Sequence, residues 1–371
     1  MKVAYFIGAL NRGGAESLIL DICRQHKQVP YNFVCVYRHE GNMSDAFREA
    51  EAPMIQIRKK PGFLRYLWNI RRTLLQEHIT MVHSQTPSNT LLLSFALLGT
   101  GIKIISSFHG HMFADASWWM RKIVYAASEK IICVSEYQKR YYEKKWHLSK
   151  ENKLQVVYNG IDFTKFNQMS EEVRDLKNDG KIRLCMVGNF IKGRSQMVVC
   201  EAIHKLKDNK EDFDFYFIGR RDEAEPARYD ECVKYCEDNQ LKNVHFFGGR
   251  EDVPDLLKTM DGFVYSTEHD TFGIAVIEAV AAGLPIVVND WPVMTEVCNL
   301  GLPNENQSVR FYKTDNPEDC ADKMANLLDD IKTQKKQLQT DCSLAMEAVR
   351  AKYSIHTHID TLFKIYNSLI H

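Results

Sequence analysis

Tyr265-Ser266-Thr267-Glu268-His269-Asp270-Thr271-Phe272-Gly273-Ile274-Ala275-Val276-Ile277-Glu278-Ala279 reads as the end of a buried strand, a loop carrying an acid, and a helix that opens near Gly273. The first amides of a helix have no partner within it, and glycine lets a ligand approach them closely, so this junction suits a diphosphate. Asp270, on the loop, is then placed for sugar hydroxyls. Glu278, a turn or so inside the helix, is placed for two ribose hydroxyls, because a carboxylate accepts from both at once. The plainer reading makes Asp270 a helix cap and Glu278 a surface acid.

Outward from this stretch, short apolar runs alternate with longer helical patterns. The early runs are 3–7, 33–36, 81–83, 103–106, 130–134 and 154–157; the later ones are 183–187, 213–218, 244–247, 262–266 and 285–288. This rhythm predicts parallel sheets with crossover helices, hence an α/β protein. Between the two series, Tyr158-Asn159-Gly160-Ile161-Asp162 signals a turn, and the polar stretch 167–180 is the best linker in the chain. A chain of 371 residues exceeds the usual size of one core, which agrees with two doubly wound domains joined by a hinge. Ligands of open parallel sheets bind beyond the carboxyl ends of the strands, so two such domains are expected to face each other across a cleft. Beyond about residue 316 the chain reads as helical, ending in an amphipathic piece with Ile359, Leu362, Phe363, Tyr366 and Leu369.

Apolar residues make up 45% and charged residues 26%, the balance of an ordinary globular protein. No apolar run approaches the roughly 20 residues of a membrane span. The start, in which a short apolar run leads into Asn11-Arg12-Gly13-Gly14, reads as a strand entering a glycine loop and not as a signal peptide. Ten cysteines lie scattered, and the nearest pair, Cys232 and Cys236, lacks the second pair or histidines of a zinc site. Buried thiols in a reducing cytosol are expected.

Net charge is zero, yet residues 1–162 hold 22 lysines and arginines against 13 acids, and the remainder 26 against 35. Arg58, Lys59, Lys60, Arg65, Arg71 and Arg72 surround Phe63, Tyr66 and Trp68, while Arg121 and Lys122 follow Trp118 and Trp119. A third cluster is Lys139-Arg140-Tyr141-Tyr142, with Lys144-Lys145-Trp146 after it. Two readings stand side by side: a face that docks on a membrane surface or lipid phosphates, and solvated helix faces whose aromatics belong to the core. No recognisable nucleic-acid-binding motif accompanies the clusters.

Val187-Gly188-Asn189-Phe190-Ile191-Lys192-Gly193-Arg194-Ser195-Gln196 ends a strand at glycine. With Asp270, Phe272-Gly273 and Glu278-Ala279, it resembles the retaining family 4 glycosyltransferases of the GT-B fold, whose signature is an acid, seven residues, then a glutamate. That family usually has Glu where this chain has Asp270. It also keeps an arginine just after the strand's glycine and a lysine five residues on, both neutralising the diphosphate. Those positions are Asn189 and Arg194 here, so one cation is lost and the other remains as a bidentate fork. Lys192 is open to two readings, a replacement charge or a surface lysine.

Other stretches carry the resemblance further. Leu10-Asn11-Arg12-Gly13-Gly14-Ala15-Glu16 looks like the family's first glycine loop, which faces the donor phosphates. Ser106-Ser107-Phe108-His109-Gly110-His111 places His109 where the family keeps a histidine near the C6 hydroxyl of the transferred sugar, with a structural loop imidazole as the alternative. Phe246-Phe247-Gly248-Gly249-Arg250 resembles the segment that packs against the nucleobase, and Ala281-Ala282-Gly283-Leu284-Pro285 the helix-to-strand passage after the signature.

The resemblance implies a GT-B architecture: an acceptor-binding Rossmann-like domain over 1–165, a linker over 166–180, a nucleotide-sugar-binding Rossmann-like domain over 181–350, and a terminal helix, 351–371, returning to the first domain. It implies retaining transfer from a UDP- or GDP-sugar to a glycan or lipid-linked glycan, as in bacterial surface polysaccharide synthesis, with no metal and no cofactor. The expected catalytic residues are His109, Arg194 and Asp270. The expected donor-binding residues are Gly13, Gly14, Asn189, Arg250, Thr271, Phe272, Gly273, Ile274 and Glu278. A cytoplasmic protein, peripheral on the inner face of the plasma membrane if the basic face docks there, is the expected setting. A nucleotide-sugar epimerase of the same fold and an inactive donor-binding homologue are the alternatives.

Overall fold

Strand β1 (Lys2–Ala9) is buried on both sides, as its unbroken apolar run requires, and it organises the first of two parallel sheets. The computed structural model describes residues 1–58, 62–149, 153–166, 180–206 and 213–370. It forms two units, Met1–Ile161 with Tyr353–His371, and Asp162–Lys352. Most of the expected linker, residues 167–179, and two of the expected basic residues, Lys59 and Lys60, lie outside the described residues.

In the first unit β1 is joined by β2 (Asn32–His39), β3 (Met54–Gln56), β4 (Met81–Ser84), β5 (Lys103–Phe108), β6 (Ser128–Cys133) and β7 (Leu154–Val156), in the order β3-β2-β1-β4-β5-β6-β7. Its helices are α1 (Gly14–Arg24), α2 (Ser44–Glu49), α3 (Phe63–Gln76), α4 (Pro87–Ala96), α5 (Trp118–Ala127) and α6 (Glu136–Trp146). The second unit has β8 (Ile182–Val187), β9 (Phe213–Ile218), β10 (Val244–Gly248), β11 (Gly262–Tyr265), β12 (Ile286–Asn289) and β13 (Val309–Tyr312), ordered β10-β9-β8-β11-β12-β13. Its helices are α7 (Gln196–Lys205), α8 (Ala227–Asp238), α9 (Val253–Thr259), α10 (Ile274–Ala281), α11 (Pro292–Val297), α12 (Pro317–Thr333) and α13 (Lys335–Tyr353). Both orders are doubly wound: the chain runs outward from the middle strand, returns, and runs out the other way.

Alternation along β1 divides the first core. Val3, Tyr5 and Ile7 meet α1, while Ala4 and Phe6 meet α3 and α4. The final helix, α14 (Ile355–Asn367), belongs to this unit and sets Ile355, Ile359, Leu362 and Tyr366 into the α1 side of the core, at helical spacing. Its entry is anchored by Ile161, whose amide donates to the Tyr353 carbonyl at 2.8 Å and whose carbonyl accepts from the Ile355 amide at 3.0 Å. Phe163–Phe166 packs with the second unit, and the first unit's leading segment is Met1–Ile161.

The apolar runs became strands, and two strands gave no signal. Strand β3 is a short edge strand, half-buried throughout. In β13 the pattern is inverted: Arg310 points inward to meet Asp330, whereas Phe311 is exposed. All ten cysteines are free, buried thiols, and in the second unit Cys232, Cys236 and burial together raise the pKa of Cys200. Among the described residues no helix is long and apolar enough to cross a membrane.

Candidate active site

Strands β8 and β11 are neighbours in the second sheet, yet the chain leaves one toward β9 and the other toward β12. Such a reversal opens a crevice at the carboxyl ends, and the loops at 188–195 and 266–273 both emerge there. They are sewn together. Arg194 and Thr267 form an antiparallel bridge, the Ser195 amide donates to the Ser266 carbonyl at 3.2 Å, and the Gly193 carbonyl accepts from Thr267 Oγ1 at 3.0 Å and the Glu268 amide at 2.9 Å. Ser195 Oγ adds a bond to Glu268 Oε1 at 2.5 Å. From β12, Asn289 accepts the Thr267 amide and donates to the Thr267 carbonyl at 2.7 Å. Gly193 has φ of +86°, and a Cβ there would stand 2.2 Å from the Cβ of His269, so glycine alone allows the two loops to touch.

This seam brings Arg194 to Asp270. The guanidinium lies 3.0 Å from Asp270 Oδ1 and stacks 5.2 Å above the Tyr265 ring, while Tyr265 Oη donates to Asp270 Oδ2 at 2.5 Å. Burial acts to lower the guanidinium, but Tyr265 and Asp270 outweigh it and raise its pKa above the ordinary value. Burial likewise raises Tyr265, which stays a neutral donor. Asp270 is therefore not a helix cap. The cap position of α10 is Gly273, at φ of +82° and with no side-chain bond to the helix amides; a Cβ there would stand 2.5 Å from Met294 Cε. The Val276 amide returns to the Gly273 carbonyl at 3.1 Å, and the amides ahead of it open the helix. Phe272 is buried in support, and Thr271, Ile274 and Glu278 are half-buried.

Two expected donor contacts have structural tasks. Asn189 Oδ1 accepts from the Arg220 amide at 3.0 Å, tying the end of β8 to the end of β9. Arg250 is held bidentately by Asp252, at 2.9 and 2.6 Å. Arg220 is not among the residues expected from the sequence, where it is marked only as half of a basic pair, Arg220-Arg221, at the end of an apolar run. Arg221 is bound by Asp230, whereas Arg220 is exposed and its stem crosses Gly249, where a Cβ would stand 2.1 Å from its Cγ.

In the first unit the glycine loop opens α1, with Gly13 in extended conformation and Gly14 beginning the helix. The Glu16 carboxylate folds back over Gly13, and burial raises its pKa. His109, at the end of β5, is half-buried with Nε2 3.1 Å from Gln85 Oε1. Burial, helped by nearby His358, lowers His109 to about 4, which leaves it a neutral imidazole near pH 7. His83 is structural, bonded to Tyr366 Oη and Ser107 Oγ at 2.6 and 2.7 Å, and His111 is buried against Tyr141. Among the described residues no group of three or more His, Cys, Asp or Glu could hold a metal ion.

Comparison with known proteins agrees with the two-unit fold. The model described as Glycosyltransferase Family 4 matches residues 12–165, and that described as Glycosyl transferases group 1 matches residues 181–330. A UDP-Gal:α-D-GlcNAc-diphosphoundecaprenol α-1,3-galactosyltransferase of Escherichia coli is 24% identical over 61% of this chain and 62% of its own length. The N,N'-diacetylbacillosaminyl-diphospho-undecaprenol α-1,3-N-acetylgalactosaminyltransferase of Campylobacter jejuni is 28% identical over 60% of this chain and 56% of its own length. Among solved structures, Anabaena HepE in complex with UDP and glucose is 15% identical and superposes over 100% of both chains with a TM-score of 0.83. With family models matching both halves and two doubly wound units in the structure, the chain belongs to the family 4 glycosyltransferases and has the GT-B fold.

Proposed function

We propose that this glycosyltransferase moves a sugar from a nucleotide-sugar donor to a lipid-linked glycan, retaining the anomeric configuration and using no metal. The observation that carries this reading is Arg194, fixed by Asp270 and Tyr265 beside the glycine-opened start of α10. A diphosphate leaving group gains negative charge as the sugar departs, and a fixed cation with helix amides stabilises that charge without reorganising. In this scheme a phosphate oxygen takes the proton from the acceptor hydroxyl on the face the donor leaves. The glycosidic bond breaks, the new bond forms, and no protein base is required. Glu278 holds the ribose, Asp270 orients the sugar, and the neutral His109 meets a sugar hydroxyl.

Arg220 is proposed as a second cation toward the nucleotide, since Asn189 carries no charge and holds the Arg220 backbone. The UDP and glucose in HepE, and the lipid-linked acceptors named for the relatives from E. coli and C. jejuni, support the choice of donor and acceptor classes. A screen of UDP- and GDP-sugars for a raised melting temperature identifies the donor, because binding stabilises the fold by mass action. Turnover is then followed with labelled donor and an undecaprenyl-diphosphate-linked glycan, and the product's anomeric configuration is read by NMR. Donor consumption without acceptor points to the epimerase. Activity lost in EDTA and restored by manganese overturns the metal-free step.

A further inference from the structure

Large apolar side chains exposed to solvent are not spread evenly over this protein. Eight of the twelve such side chains among the described residues lie on α3, on α4 and the turn after it, and at the start of α5. These helices adjoin one another on one face of the first sheet. Helix α3 shows why the feature is more than scattered exposure. Tyr66, Ile70 and Leu74 form its buried stripe, and Leu64, Trp68, Arg71 and Leu75 form a second stripe, at spacings of four, three and four, on the far side of the helix. Trp118 and Trp119 extend the outer surface on α5, at 63% and 45% exposure.

The charge on this face has one sign. Helices α3, α4 and α5 contain no aspartate or glutamate, whereas Arg65, Arg71, Arg72, Arg121 and Lys122 lie on them. None of the five has a carboxylate partner among the described residues. Arg72 and Lys122 instead lie over Trp68 and Trp118, at 5.3 and 5.0 Å, and Arg71 donates to the Leu98 carbonyl at 2.7 Å. Tryptophans with cations beside them suit the headgroup region of a bilayer, where the indole sits in the apolar margin and the charge meets lipid phosphate.

We infer that the outer face of α3, α4 and α5 docks on an anionic lipid bilayer, with Trp68, Trp118 and Trp119 inserted at headgroup depth and the five cations against lipid phosphates. This surface stands independently of the sugar-transfer reading. Burial sorts the aromatics of the basic clusters: Tyr66 and Tyr142 are core, while Trp68, Trp118 and Trp119 are surface.

The test is flotation of the full chain with vesicles of phosphatidylglycerol and phosphatidylcholine, and with phosphatidylcholine alone, at about 0.1 M salt. The expected result is binding to the anionic vesicles only, with a blue shift of tryptophan emission. Arg65→Gln with Arg72→Gln should lower partitioning about 30-fold, at about 1 kcal/mol per charge near the surface. Trp68→Ser with Trp118→Ser should abolish the shift, and both double variants should keep the wild-type melting temperature. Equal binding to neutral vesicles, no binding to anionic ones, or unaltered binding by the variants overturns the proposal. So does a wild-type dimer in ultracentrifugation that the tryptophan variants return to monomer, because the face would then be covered by a second copy.

Discussion

Arg194 and Gly193 show how far one residue reaches. Arg194→Ala removes the cation that the structure places on Asp270 and Tyr265, and it is expected to lower kcat about 10²- to 10³-fold, measured by initial rates with saturating donor. Arg194→Lys keeps a charge but not the planar fork, so it should fall between wild type and alanine. Gly193→Ala acts through the backbone: at φ of +86° and 2.2 Å from His269 Cβ, the added methyl separates the two loops. A loss of about 2 kcal/mol or more in urea unfolding, with weakened donor binding, is expected. At this scale the sequence pointed to Arg194 and Asp270 separately, and nothing in it joined them. Their contact depends on an antiparallel bridge between loops more than 70 residues apart, and no local pattern records it.

Helix α14 is the element whose role is most explicit in its own pattern. Its apolar positions were legible at 3.6-residue spacing, and each of Ile359, Leu362 and Tyr366 is buried. Leu362→Ala should cost about 3 kcal/mol in the unfolding of the first unit, followed by the near-ultraviolet signal of its tyrosines. Tyr366→Phe should cost about 1 kcal/mol or more, since it leaves His83 Nδ1 without the hydroxyl 2.6 Å away and breaks the link to Tyr5 and Tyr31. Strand β13 is the opposite case. It occupies the edge of the second sheet, and its inward arginine is tolerated because Asp330 meets it, so hydrophobic alternation could not announce it.

Across the whole molecule, the histidines of the first unit set its response to acid. Burial, with an opposing bond from the Tyr158 carbonyl, holds His358 at about 4; burial and His358 hold His109 at about 4; and burial with both neighbours keeps His83 well below its ordinary value. Below about pH 6.5 the unfolded chain takes up protons that the folded chain refuses. Stability is therefore full above that pH and falls toward pH 4, by up to about 1.4 kcal/mol per pH unit for each histidine. Urea midpoints at pH 7.5 and pH 5 should show the loss, and His358→Gln should reduce it. The sequence by itself determined the α/β class, the two series of strands and the glycine-opened helix at Gly273, because each rests on periodicity or on backbone freedom within a few residues. Tertiary structure decided that Asp270 serves Arg194 and not a helix cap, that Asn189 serves the Arg220 backbone, that three histidines stay neutral together, and which aromatics of the basic clusters face solvent. Each of these is a choice between partners distant in the chain, and only packing brings such partners within reach.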